Sequence, residues 1–447
     1  MVSFGIHPDY RKVTADKKVE SAPLPAEVII PLHQHIGAPC KPTVEKGSEV
    51  LAGEKIGEVQ SFVAAPVHAS ISGKVKDIRR ALVPVGYEAD CVVIEGDGKE
   101  NWVKFEKRDS EELEPKEIIN RIKEGGLVGM GGAAFPTHVK LSPPPEKKID
   151  VIIANGAECE PYLTCDHRLM IEETERIIKG MEAAMRVLGC SRGLIGIEDN
   201  KRECIEKMEK GAELSSFEIE VRELRTRYPQ GAEKMLIHSL LRRKVPVGGL
   251  PMDVGAVVQN VGTLKAIYEA VNLGTPLVDR VVTVTGGVKQ PQNLMVRIGT
   301  RIKDLIDFCG GFTQEPGKII NGGPMMGIAQ ESVEVPVIKG MSGILVQSKE
   351  DVGKRRERPC IRCGSCIESC PLGLMPTTIV RYAKKGMFED CDRYYIANCI
   401  ECGCCSWVCP SNIPLVHWLK YGKGEVLKIK RKKLEKEREK EKGGETK

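Results

Sequence analysis

Short apolar runs broken by glycine and proline open the chain. Residues 27 to 95 read VIIPL, then GAPCKPTVEKGSEVLAGEKIGEV, then APVHASISGKVKDI, and this short-period alternation predicts strands and turns in a small β-domain. Near 115 the pattern changes. A helix is expected over 117–124, then a glycine-rich loop, then apolar strands at 149–154, 193–197 and 217–224. Between the first two strands Ile171, Thr174, Ile178, Met181, Met185 and Leu188 recur at three-to-four spacing, one apolar stripe on a helix. Further helices are expected over 232–243 and from about 263 to 273, where Gly274 and Pro276 supply stop signals. Strands alternating with helices build a mainly parallel α/β sheet. From 280 to 340 strand and turn signals return around one short helix, RIKDLIDFCGG, an order that suits a β-grasp module.

These rhythms divide the chain into a β-domain at 1–112, an α/β domain at 113–277, a β-grasp-like module at 278–345, a cysteine module at 350–420 and a charged tail at 425–447. The tail mixes both charges with almost no apolar residue and reads as a solvated or frayed helix without assigned function. The segments KGSEVLAGEKIGE and APVHASISGKV resemble the two halves of the barrel-sandwich hybrid of biotinyl and lipoyl carriers. The lysine that those carriers modify at the hairpin tip is missing, and His68-Ala69-Ser70 stands near it. The resemblance therefore implies the fold without the swinging cofactor.

At 447 residues and 41% apolar composition the chain needs several cores. Its 67 basic and 62 acidic residues leave a net charge of +5 with only 4% aromatics, so no basic stripe with stacking rings points to nucleic acid. The N-terminus lacks the apolar core of a signal peptide, and no apolar run of roughly 18 residues occurs. The chain is expected to be soluble, or to sit on a membrane only through partners.

Seventeen cysteines change this picture, because eight follow one pattern twice. Cys360-x2-Cys363-x2-Cys366-x3-Cys370-Pro371 is repeated as Cys399-x2-Cys402-x2-Cys405-x3-Cys409-Pro410. Three thiolates at three-residue spacing wrap one corner of a cubane, and in two-cluster ferredoxins the fourth cysteine of each run ligates the other cluster. One [4Fe–4S] cluster would then take Cys360, Cys363, Cys366 and Cys409, and the other Cys399, Cys402, Cys405 and Cys370. Zinc is the rival, but its sites generally use two C-x2-C pairs. The helical-looking stretch between the runs suggests a helical ferredoxin-like domain, and the other cysteines read as core or unpaired thiols.

Residues 125 to 140, GGLVGMGGAAFPTHVK, contain Gly129-x-Gly131-x-x-Ala134, a weak dinucleotide fingerprint. It follows a helix and lacks G-K-[ST], so neither a standard Rossmann turn nor a P-loop is expected. Such glycine density still lets backbone N–H groups approach a phosphate or a flat ring, with Lys140 as a point charge. GLVGMGGAAFPTHVKL, NGAECEPYLTCDHR, YPQGAEKMLIHSL and GLPMDVGAVVQNVGTL resemble, in order, four blocks of the flavin- and NADH-binding subunit of respiratory complex I. That resemblance implies that Gly129, Gly131, Gly132 and Lys140 cradle FMN and that Asn155 and Asn260 hydrogen-bond the flavin. It also implies that Glu158, Glu160, Tyr228 and Glu233 line the flavin and nicotinamide-nucleotide pocket. The sequence departs from the family pattern at Ala157, Ala232 and Gln259.

The whole order is that of a multidomain α/β plus β protein: a barrel-sandwich-hybrid-like domain, a Rossmann-like flavin domain of the complex I type, a β-grasp (SLBB) module and a 2[4Fe–4S] domain. It resembles the RnfC family, a component of the Rnf ion-translocating electron transport complex. That resemblance implies an oxidoreductase subunit, peripheral on the cytoplasmic side of the inner membrane. It would pass electrons between NAD(H), through FMN, and two [4Fe–4S] clusters, with integral membrane subunits moving Na⁺ or H⁺ and ferredoxin or another redox subunit as partner. No catalytic acid–base residue is expected. A soluble flavin and iron–sulfur reductase, such as a cobalamin reductase, and an electron-transfer scaffold with a decayed flavin site remain the alternatives.

Overall fold

The computed structural model describes residues 5–353 and 356–444, so residues 1–4 of the first domain and 445–447 of the tail lie outside the described residues. The β-domain is two small antiparallel sheets. One runs Glu27–Pro31, Tyr87–Gly96, Gly73–Val83, Glu49–Val50 in spatial order, the other Lys41–Pro42, Lys55–Glu58, Val67–His68. Alternation puts Val28, Ile30, Val92 and Ile94 of the first sheet inside, against Ile56 and Val67 of the second. The hairpin tip is buried at His68, Ala69 and Ser70, and the Ser70 hydroxyl donates to the Ile298 carbonyl of the β-grasp module, so no arm projects.

In the middle domain a four-stranded parallel sheet has the order Glu218–Leu224, Arg192–Glu198, Val151–Gly156, Ala256–Asn260. Met181 and Met185 of helix Thr174–Leu188 and Leu264 of helix Val261–Tyr268 cover one face, and Leu236, Ile237 and Leu240 of helix Glu233–Leu241 cover the other. The first two helices cross at Gly180, where a Cβ would lie 1.8 Å from the Leu264 carbonyl oxygen. The single helix expected from Ile171 is in fact two. Cys165–Glu172 ends at Glu173, whose φ of −127° and ψ of 27° are not helical, and a second helix starts at Thr174 in the same apolar phase. At 261–273 the helix widens into a π-turn at Glu269–Leu273 and stops at Gly274, whose φ is +73°.

The β-grasp module wraps helix Ile302–Phe308 with a six-stranded sheet ordered Val19–Ser21, Gln292–Arg297, Asp279–Gly286, Gly343–Ser348, Pro316–Asn321, Ile328–Ala329. Its first edge strand comes from the N-terminal segment, which leaves the β-domain altogether. Residues 5–21 instead form a strap. Ile6 exchanges both backbone hydrogen bonds with Tyr228 at 2.8 and 2.9 Å, Tyr162 N–H donates to the Tyr10 carbonyl at 2.7 Å, and Val19–Ser21 pairs in parallel with 293–295. Where the three domains meet, the buried Lys339 ammonium donates to the carbonyls of Pro66 and Gly126 at 2.8 and 2.7 Å.

The cysteine module packs helices Pro376–Lys384 and Phe388–Arg393 on the start of Leu415–Gly444, through Ile379, Val380, Cys391, Leu419 and Val426. The described part of the charged tail is the continuation of that last helix. No helix among the described residues is long and apolar enough to cross a membrane.

Candidate functional site

The two cysteine runs share one backbone. Arg362 and Glu401 both adopt left-handed φ (57° and 59°), and each run continues through a left-handed glycine, Gly364 or Gly403, into a one-turn helix, Ser365–Glu368 or Cys404–Trp407. In each, the N–H two residues on lies 3.4 Å from the first thiol sulfur, Arg362 N–H to Cys360 and Glu401 N–H to Cys399. Cys370, the last cysteine of the first run, meets the second run. It walls one cavity together with Cys399, Cys402, Cys404 and Cys405, and its sulfur accepts the Leu374 N–H at 3.3 Å. The nine cysteines outside the runs are all buried, which suits small core thiols.

Tyr228 and Glu160 sit at the seam between the flavin-type domain and this cavity. The Tyr228 hydroxyl donates to the Cys402 carbonyl at 2.8 Å, and Tyr228 packs with Ile6, Cys159, Cys402 and Cys404 against Ile400 and Met325. Glu160 accepts the N–H groups of Met325 and Met326 at 3.1 and 2.8 Å and faces the Tyr228 hydroxyl at 3.5 Å. Tyr228, which the complex I resemblance places in a nucleotide pocket, is here 1% exposed and fully engaged with the cysteine module.

Burial pushes the Glu160 carboxyl up to about 7 against the hydrogen bonds that favour its charge. The folded protein therefore holds a proton between about pH 4.5 and 7 that the unfolded chain releases, so this group's contribution to stability declines as pH rises through that window. Glu160→Gln should flatten part of that decline. Urea midpoints of variant and wild type between pH 5 and 7.5 measure it, and parallel curves would refute the assignment.

Glu158 stands at φ +43° and caps helix Cys165–Glu172, accepting the N–H groups of Asp166 at 2.6 Å and His167 at 3.3 Å. The Lys12 ammonium of the strap donates to the carbonyls of Glu158, Glu160 and Leu163 at 2.7, 2.9 and 2.6 Å and lies 3.8 Å from the Glu158 carboxylate. Burial opposes charge on both partners: it pulls the Lys12 ammonium down and pushes the Glu158 carboxyl up to about 7. Glu158 is thus an interior anchor for the strap. The strap carries no motif, so nothing in the sequence pointed to Lys12.

The glycine loop lies beside the carboxyl ends of the parallel strands. Gly132, at φ +108°, has nothing within 4 Å of where a Cβ would stand, and Gly131 packs on Asn260, whose Cβ would touch an added Cβ at 3.4 Å. The loop is pinned by Met130 N–H to Thr263 Oγ1 at 2.9 Å and by Gly129 N–H to the Phe135 carbonyl at 2.8 Å. Lys140 pairs with Glu233 at 2.5 Å. Asn155 and Asn260 spend their amides on protein. Asn155 donates to the Gly231 carbonyl at 2.9 Å and accepts from Ala157 N–H at 3.2 Å. Asn260 caps helix Val261–Tyr268 and donates to Asp166 at 2.7 Å. The open side of Gly132 fits an anionic group against bare backbone, as a flavin phosphate requires, with Lys140 able to turn from Glu233 to that group.

Residues 122–269 match the Nuo51 FMN-binding domain, residues 2–99 the RnfC barrel sandwich hybrid domain, and residues 281–329 the SLBB domain. Fold and site together define a redox subunit built around an FMN-binding domain of the complex I type. The relatives narrow the class. The chain is 51% identical over 94% of its length to the C subunit of the proton-translocating ferredoxin:NAD(+) oxidoreductase complex of Clostridium ljungdahlii, of which it covers 93%. It is 46% identical over 96% to the Na(+)-translocating counterpart of Acetobacterium woodii, covering 97% of it. It is 40% identical over 94% to the C subunit of the ion-translocating oxidoreductase complex of Rhodobacter capsulatus, covering 82%. The chain belongs to the RnfC family, the C subunits of Rnf-type ion-translocating oxidoreductase complexes.

Proposed function

We propose that this chain is the peripheral, cytoplasmic electron-transfer subunit of an Rnf-type complex. It would carry electrons between NAD(H) and ferredoxin-linked redox subunits, while integral membrane partners move Na⁺ or H⁺. The observation that carries this reading is the cavity in which Cys370 joins Cys399, Cys402 and Cys405, with Tyr228 bonded to its wall from the flavin-type domain. That arrangement suits two [4Fe–4S] clusters with crossed fourth ligands, the second against the flavin-type domain and the first, on Cys360, Cys363, Cys366 and Cys409, further out.

When bound, FMN would supply two-electron hydride chemistry toward NAD(H) and one-electron chemistry toward the clusters. The chain's own residues hold and space the centres. Gly129, Gly131 and Gly132 present backbone to the cofactor, Lys140 offers charge to its phosphate, and Glu233 holds Lys140 in place. Asn155 and Asn260 shape the loop and strand ends around it, and Glu158 fixes the neighbouring helix. Tyr228 ties the flavin-type domain to the cysteine module and Glu160 ties it to the β-grasp loop at Met325-Met326, which together fix the distance electrons must cross.

Anaerobically prepared protein should contain about eight irons and as many sulfides per chain, with one releasable flavin. Zinc in place of iron, or a colourless preparation without flavin, would defeat the reading.

A further inference from the structure

The two cysteine runs are copies of each other in backbone, and they differ in what covers them. In the second run Ile400 packs into the cluster of Tyr228, Cys159 and Met325, and Gly403 lets the β-grasp loop approach, with 3.0 Å between its would-be Cβ and the Met325 carbonyl oxygen. The matching positions of the first run are bare. Ile361 is 68% exposed, and a Cβ on Gly364 would meet nothing within 4 Å. Cys360 and Cys363 on either side are exposed too.

Charge differs as well. Glu401, which follows Ile400, is neutralised by Lys423 at 3.0 Å, whereas its counterpart Arg362 and the nearby Arg356 and Arg358 are exposed and make no ion pair among the described residues. Glu357 between them is taken by Lys384 at 2.7 Å, so the described residues 356–370 set Arg356, Arg358 and Arg362 against Glu368 and carry a positive balance.

We propose that the first cysteine run is a docking face for a second electron-transfer protein, seated on Ile361 and Gly364 as the flavin-type domain and the β-grasp loop are seated on Ile400 and Gly403, with an acidic rim that meets Arg356, Arg358 and Arg362. The proposal rests on the iron–sulfur reading above. One electron crosses per encounter: the centre held by the first run changes by one electron as the partner's centre changes by one in the opposite sense. No bond forms or breaks and no proton is required. An apolar point close in sequence to three exposed arginines suits such a partner, since exposed charge steers encounter and the small desolvated centre lets the two separate again.

A small acidic ferredoxin with two [4Fe–4S] clusters serves as the probe, and calorimetry of the oxidised pair reads docking without electron flow. Arg356→Glu/Arg358→Glu should weaken binding and slow association about tenfold at low salt, with the difference shrinking at high salt. Ile361→Asp should weaken binding by a similar factor at every salt concentration. Unchanged ferredoxin binding in the arginine variant overturns the proposal, as does a loss of binding to anionic lipid vesicles with ferredoxin binding intact. If Ile361→Asp loses iron, the arginine variant decides alone. Wild-type protein that holds no iron would sink the iron–sulfur reading, while its calorimetry would still report on the docking face.

Discussion

Replacing Cys370 with alanine should remove the centre of the second run, although the residue belongs by sequence to the first. Iron should fall from about eight to about four per chain. The cavity that Cys370 shares with Cys399, Cys402 and Cys405 is the reason. Pairs of substitutions tell crossed from uncrossed ligation. Cys370→Ala with Cys363→Ala should abolish both centres, because the two thiols serve different clusters. Cys370→Ala with Cys402→Ala should lose no more iron than Cys370→Ala alone. If the first pair keeps about four irons, each run binds its own cluster and crossed ligation is wrong.

The largest effect on stability should come from Lys12→Met. Its ammonium satisfies three carbonyls and faces the buried Glu158 carboxylate, so the variant leaves three carbonyls short of a donor and a buried carboxylate without its counter-charge. Breaking a buried charged pair from one side costs about 3–5 kcal/mol. The first thermal transition should move down, and limited trypsin digestion should cut the strap at Arg11, Lys17 or Lys18 faster than in wild type. A variant with unchanged melting and unchanged cleavage would show that the strap is held by its strand pairing alone.

What local pattern encodes was legible in the sequence. The thiol spacing, the strands at 149–154, 193–197 and 217–224, and the glycine loop all express periods of a few residues. Periodicity could not see the break at Glu173, because Ile171 and Thr174 stay in phase across it. The complex I resemblance places Tyr228 in a nucleotide pocket, yet its hydroxyl finds a carbonyl 174 residues away, a partner no local signal encodes. The same resemblance implies that Asn155 and Asn260 bond the flavin, and in the fold their amides satisfy a loop carbonyl and a helix end. The two runs look equivalent as text, and only packing separates a covered Ile400 from a bare Ile361.

The strap also sets an order of assembly. Residues 5–21 are made well before their partners: Val19 must wait for Asn293 before its strand has a neighbour, and Lys12 must wait for the turn at 158–163. The strap is thus slow to find its place, a contact of long sequence separation that closes late. A nascent chain cut short before 292–297 has made the flavin-type domain but cannot latch it. The strap acts as a completion seal, fastened once the β-grasp module exists and just before the cysteine module that the same seam receives.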